Sequence, residues 1–173
     1  MRPFIQFSSR FIQKSNEYYL AFKIKDESFA ANFPKIVGFS KSFTCFETAS
    51  AHTLITHFAK IGERYLPILN LSKKLGFEAS TELAVTPSRI VIFETELYDN
   101  KIEFAIAYDE LGEAFEIGQD KIETVQNDGS AYENIYVKGV HVHNKECMLI
   151  INIDKLIDID DLIDIKVLEK QYK

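Results

Sequence analysis

Two histidines one residue apart, His141 and His143, lie in a stretch that reads as a strand, so their imidazoles fall on one face. Imidazoles at that spacing can supply two ligands to a transition metal, and Cys147, just beyond a polar turn, is a candidate third. No Asp or Glu pattern completes the set. The plainer reading, and the favoured one, is a pair of surface residues on a hairpin. Asp154, Asp158, Asp160, Asp161 and Asp164 resemble a calcium run but lack the glycine and the distal glutamate of an EF-hand loop. They read better as the acidic start of a helix, with Asp160 as its N-cap. Cys45, His52 and His57 invite a Cys–His nucleophile, yet no oxyanion elbow and no orienting partner accompany them. The longest candidate for a phosphate loop, Asp128-Gly129-Ser130, is a single turn. These residues point away from an enzyme, and no metal or cofactor is expected.

Composition narrows the class further. At 173 residues the chain is one domain by length. A chain of this size buries roughly 70% of its unfolded surface and needs no staples. A hydrophobic share of 46% with 27% charged residues is ordinary for a globular protein. A net charge of −6 argues against nucleic acid, where Lys and Arg must displace counterions. Cys45 and Cys147 are too few for a disulfide framework and read as reduced core thiols. No apolar run approaches the roughly 18 residues that span a bilayer, and the N-terminus has no continuous apolar signal core. A cytoplasmic protein without direct membrane insertion is expected.

The elements that must position these residues are mostly short strands. Residues 1–15 place Phe4, Ile5, Phe7, Phe11 and Ile12 among Arg2, Arg10 and Lys14. This extension could lie on a membrane as a basic amphipathic helix, but docking on the domain's own core is favoured, since Pro3, Ser8 and Ser9 weaken a helix. Residues 18–24 alternate as a strand, 25–28 turn, and 29–39 continue as a second strand with Pro34 at an edge or bulge. Residues 40–51 look polar and irregular. A hairpin over 54–71 turns at Gly62-Glu63, and Gly76 stops a short helix. Residues 77–86 read as a linker. Strands at 90–95 and 102–108 turn at Asp99-Asn100, and 119–134 form a polar loop. A hairpin over 136–153 turns at Asn144-Lys145-Glu146 and ends in an aliphatic run. A C-terminal helix over 160–170 would turn Ile163, Val167 and Leu168 toward the body. Strands this short, with turn signals between them, argue an all-β pair of barrels.

The last hairpin carries a family signature. Tyr136-Val137-Lys138-Gly139-Val140, then Met148-Leu149-Ile150-Ile151-Asn152-Ile153-Asp154-Lys155-Leu156, resembles the closing hairpin of the CheW family, the adaptors of bacterial chemotaxis arrays. Residues 19–39 resemble the family's opening hairpin without a gap. Pro67-Ile68-Leu69-Asn70-Leu71 resembles its Pro-apolar-apolar-Asp-Leu segment, and Tyr108-Asp109-Glu110-Leu111 its Val-Asp-x-Val segment. The resemblance covers residues 19 to about 162. It implies two small five-stranded SH3-like barrels side by side, the first over about 16–85 and the second over about 86–157, with short helices at the junction and C-terminus. Residues 1–15 would be an extension to a single domain over 16–173.

The resemblance also implies a scaffold without catalysis. Its partners would be the regulatory domain of a CheA-type histidine kinase and the cytoplasmic tip of a chemoreceptor. Ile36 matches a family aliphatic at the partner surface. Gly38 stands where the family usually has Glu. Val91, Leu111 and Gly139 match positions that bear on the groove between barrels. His57-Phe58-Ala59-Lys60-Ile61-Gly62-Glu63 replaces Gly-Val-x-Asn-Leu-Arg-Gly, so the family arginine is missing. Asn70-Leu71-Ser72 likewise replaces Asp-Leu-Arg. Such changes leave open a different signalling or motility partner for the same fold, or, less favoured, a metal-dependent enzyme using His141 and His143.

Overall fold

The computed structural model describes residues 16–48, 54–77, 86–124 and 135–172. Its turns explain its strands. Lys25, Tyr98, Asp99, Asn144 and Lys145 take left-handed backbone, and so does Gly62 with φ of 60°. Each marks a tight reversal between antiparallel strands, and at Tyr98-Asp99 and Asn144-Lys145 two consecutive left-handed residues match the strands' own twist. The resulting strands are β1 (Glu17–Ile24), β2 (Glu27–Asn32), β3 (Ile36–Ser40), β4 (Thr44–Glu47), β5 (Ile55–Ile61) and β6 (Arg64–Leu69). After α1 (Leu71–Lys74) come β7 (Ile90–Leu97), β8 (Asn100–Ala107), β9 (Glu110–Ile117), β10 (Val137–His143) and β11 (Glu146–Ile151). The chain then forms α2 (Ile153–Leu156) and α3 (Ile159–Tyr172).

These strands make two sheets. One has five strands in the order β10-β11-β2-β1-β9, the other six in the order β3-β7-β8-β6-β5-β4. The sheets are not closed barrels, but the mostly β, two-sheet architecture is the one expected. The membership is not sequential. The five-stranded sheet takes β1 and β2 from one end of the chain and β9 to β11 from the other. The parallel pairing of β11 with β2, through Ile151 opposite Ala31, makes that join. Barrels divided as 16–85 and 86–157 therefore do not describe the strand assignment.

The main core lies between the sheets. Phe22, Phe29, Phe58, Phe93, Phe104, Ile151 and Leu156 belong to it, all nearly or fully buried. Phe22 and Phe29 stack with ring centroids 5.6 Å apart, as do Phe93 and Phe104 at 5.7 Å. Each such side chain contributes roughly 1.5–3 kcal/mol by leaving water. Cys147 is exposed rather than in the core, and Cys45 is half-buried.

Four local readings change. The strand expected over 29–39 breaks after Asn32, where Phe33–Lys35 form a 3-10 turn, and β3 joins the other sheet. Pro34 thus marks a corner, since its fixed φ suits a first helical turn. Residues 44–47 pair with β5 instead of being irregular. In α3 the reciprocal cap belongs to Asp158: its Oδ1 accepts the Asp161 N–H at 3.0 Å, and Asp161 Oδ2 accepts the Asp158 N–H at 3.0 Å. Leu162, Ile165 and Leu168 face the core, while Ile163 and Val167 face outward.

Lys74 fastens this helix. Its Nζ lies 2.5 Å from Asp161 and 3.0 Å from Asp158, and 4.8 Å above the Tyr136 ring. Burial works against the ammonium charge, but hydrogen bonds to the two carboxylates outweigh it and hold Lys74 above its ordinary value.

His57 is almost fully buried on β5, and burial depresses its basicity even though Glu47 pulls the other way. Above the ordinary value of 6.5 both folded and unfolded chains hold it neutral. As pH falls from there to the lower folded value, only the unfolded chain gains the proton, so stability is lost. Urea midpoints at about pH 7.5 and about pH 5.5 should fall more for wild type than for His57→Gln. Equal drops would remove His57 from the pH response.

Candidate functional site

The histidine pair is occupied structurally. His143 stacks on Phe115 of β9 with centroids 4.0 Å apart and planes 9° apart. Its Nε2 lies 2.9 Å from Glu113 Oε1, which also accepts from Asn144 Nδ2 at 2.8 Å. His141 Nδ1 lies 3.0 Å from the Lys121 carbonyl. Since β9 and β10 are the two outer strands of the five-stranded sheet, these side chains draw its edges toward each other. Cys147 pairs across from Val142 and so lies on the face away from both histidines. Among the described residues no group of three or more His, Cys, Asp or Glu is placed to hold a metal. The thiol of Cys45 is pushed up by burial, the wrong direction for a nucleophile. His52, Asp128, Gly129 and Ser130 lie outside the described residues.

The five residues expected at a partner surface separate into three environments. Ile36 and Gly38 sit half-buried on β3. Val91 pairs with Phe39 from the neighbouring strand β7 and is fully buried, so it backs β3 from inside. Leu111 is exposed on β9, an edge of the other sheet. Gly139 is buried on β10, where a Cβ would come 2.2 Å from the Glu123 carbonyl oxygen. That close approach is an architectural demand, made by a short bridge between Glu123 and Val140.

The strand that holds Ile36 and Gly38 offers more than those two. β3 is the end strand of its sheet and pairs only with β7 there. An edge strand presents unpaired backbone groups, and a bulge or charge normally blunts it. The register indeed shifts between Ile36 and Gly38, which places Val37 at the irregularity. Val37 is 50% exposed and Phe39 46%, and Phe33 is exposed just before them. Because Ile36 and Gly38 point inward, their alternates point out. Sequence reasoning missed Val37 and Phe39, although period-two alternation with Ile36 would have found them.

Asp154 ties the base of this edge down. It lies 3.0 Å from Lys35 Nζ and accepts from Thr95 Oγ1 of β7 at 2.9 Å. Burial opposes its charge, but these two donors prevail and hold its carboxyl below the ordinary value. Among the described residues no helix is long and apolar enough to cross a membrane.

The comparisons agree with this architecture. The family model described as "CheW-like domain" matches residues 18–161. Among solved structures the chain is similar to the scaffolding protein TtCheW from Thermoanaerobacter tengcongensis, at 16% identity and a TM-score of 0.67, over 85% of this chain and 91% of that one. No curated protein matches the chain. With a family model that runs from β1 into α3, over residues 18–161, the chain belongs to the CheW-like domain family.

Proposed function

We propose that this chain is a non-catalytic cytoplasmic adaptor that couples a chemoreceptor tip to the regulatory domain of a CheA-type histidine kinase. The observation that carries the reading is the exposed pair Val37 and Phe39 on edge strand β3, on the element where the family places its partner surface. Ile36 and Gly38 shape that strand from within, and Val91 supports it. Leu111 lies on the other sheet, so a second partner can dock without competing for β3. Gly139 acts on the groove only indirectly, by fixing β10.

The test is co-elution of the purified chain with a CheA-type regulatory domain, with and without a receptor tip fragment. Val37→Asp with Phe39→Asp should weaken the complex about 10- to 100-fold, the loss of two apolar anchors. Equal affinity for wild type and variant would move the site away from β3.

A second reading is favoured by two residues. Gly38 lacks the family's carboxylate, and Gly62 stands where the family has arginine. Arg64, two residues on, is instead paired with Glu103 of β8. The planar guanidinium is therefore absent from the family position. Binding to neither receptor nor kinase would favour a CheW-like module serving another signalling or motility partner.

A further inference from the structure

The C-terminal helix leaves an aliphatic ladder uncovered. Ile159, Ile163 and Val167 recur every fourth residue along α3 and are 47%, 53% and 53% exposed. That spacing puts them on one face, turned away from buried Ile165 and Leu168. Asp160 and Asp164 run beside the ladder and also line a cleft of about 410 Å³ walled by Leu54 and Tyr136, where Lys73 and Lys74 also lie and Lys74 is paired with Asp158 and Asp161. An aliphatic ridge next to an acidic trough suits a ligand that is both apolar and basic.

The chain carries such a ligand. Residues 1–15, MRPFIQFSSRFIQKS, hold Phe4, Phe7, Phe11 and two isoleucines with Arg2, Arg10 and Lys14, and contain no Asp or Glu. This is a basic stretch in a chain of net charge −6. The topology brings the residue that follows this stretch to the right place. Tyr19 pairs with Asn32, Ala31 with Ile151, and Ile151 with Val137. The start of β1 therefore lies at the end of the sheet from which the chain departs for α2 and α3. Glu17 reaches Lys138 at 4.0 Å, two residues along from Tyr136 in the cleft wall. Fifteen extended residues reach up to about 50 Å, against roughly 21 Å for the whole of α3.

We propose that residues 1–15 dock on α3, with their aromatic residues on the Ile159–Ile163–Val167 ladder and their cations against Asp160 and Asp164. The contact is intramolecular and independent of which partners bind β3. Carboxylates open to water contribute to it through a screened field, so salt loosens it.

The test uses the full chain with a benzophenone amino acid at Phe7 or at Phe11, irradiated and peptide-mapped. The expected product is a link within one molecule to the peptide containing residues 159–167. Its yield should fall several-fold in Asp160→Asn with Asp164→Asn, and again in about 1 M salt. A circular-dichroism spectrum like that of wild type makes the loss one of docking. Links to other elements overturn the proposal. Links only between molecules overturn it too, by giving the ladder to a second copy. A yield unchanged in the double variant removes the carboxylates from the site and likewise overturns it.

Discussion

Gly139→Ala should cost about 3 kcal/mol or more, among the largest effects available to one methyl group in this fold. The added Cβ would stand 2.2 Å from the Glu123 carbonyl oxygen and 2.8 Å from Ile122 Cγ2. The first of these atoms is backbone and cannot swing aside. It is held there because Glu123 and Val140 exchange backbone hydrogen bonds of 2.9 and 2.8 Å. Relief requires residues 122–123 to peel from β10, which breaks both bonds and exposes the half-buried Ile122. For a domain of this size the melting temperature should drop by roughly 6–12 °C. A melt within about 1 °C of wild type would show that this segment yields freely. The position the family resemblance ties to the groove would then be open to side chains.

Lys74→Met should cost about 3–5 kcal/mol, because it strands a buried carboxylate. Lys74 is 2% exposed at its side chain and Asp161 7%, whereas Asp158 is 43% exposed and partly served by water. The penalty therefore falls on Asp161. Burial already lifts its carboxyl above the ordinary value, although the Asp158 N–H and the Lys74 ammonium pull it down. The double variant Lys74→Met with Asp161→Asn removes both charges and keeps an oxygen to accept the Asp158 N–H. It should recover most of the loss. If the two substitutions instead add in a double-mutant cycle, the ion pair is not what fastens α3 to α1.

Much of the strand content was legible because its signals are local. The reversals at Gly62-Glu63 and Asn144-Lys145 fall where turns were expected. The turn before β8 lies one residue earlier than Asp99-Asn100, at Tyr98-Asp99. Sheet membership was hidden because it depends on pairings such as Ile151 with Ala31, far apart in sequence. The outward face of α3 misled for a related reason. Aliphatics occur all around that helix, and the buried face is chosen by Asp161 meeting Lys74, a contact across 87 residues. At the candidate site, an apolar run centred on Val91 reads equally as groove or core. Only the place of β7 between β3 and β8 settles it as core. Gly139 carried a conformational signal without its cause, since the Glu123 carbonyl approaches from outside the hairpin.

The strand order has a consequence for synthesis. All six strands of one sheet come from a continuous run, Ile36 to Ala107, while the other sheet needs both flanks of that run. On a ribosome the inner run emerges whole while β1 and β2 still wait for β9, β10 and β11. The molecule is built as one sheet inserted into a connection of another. A release that comes too early would leave the opening hairpin with an apolar edge and nothing to pair with, a natural target for chaperones.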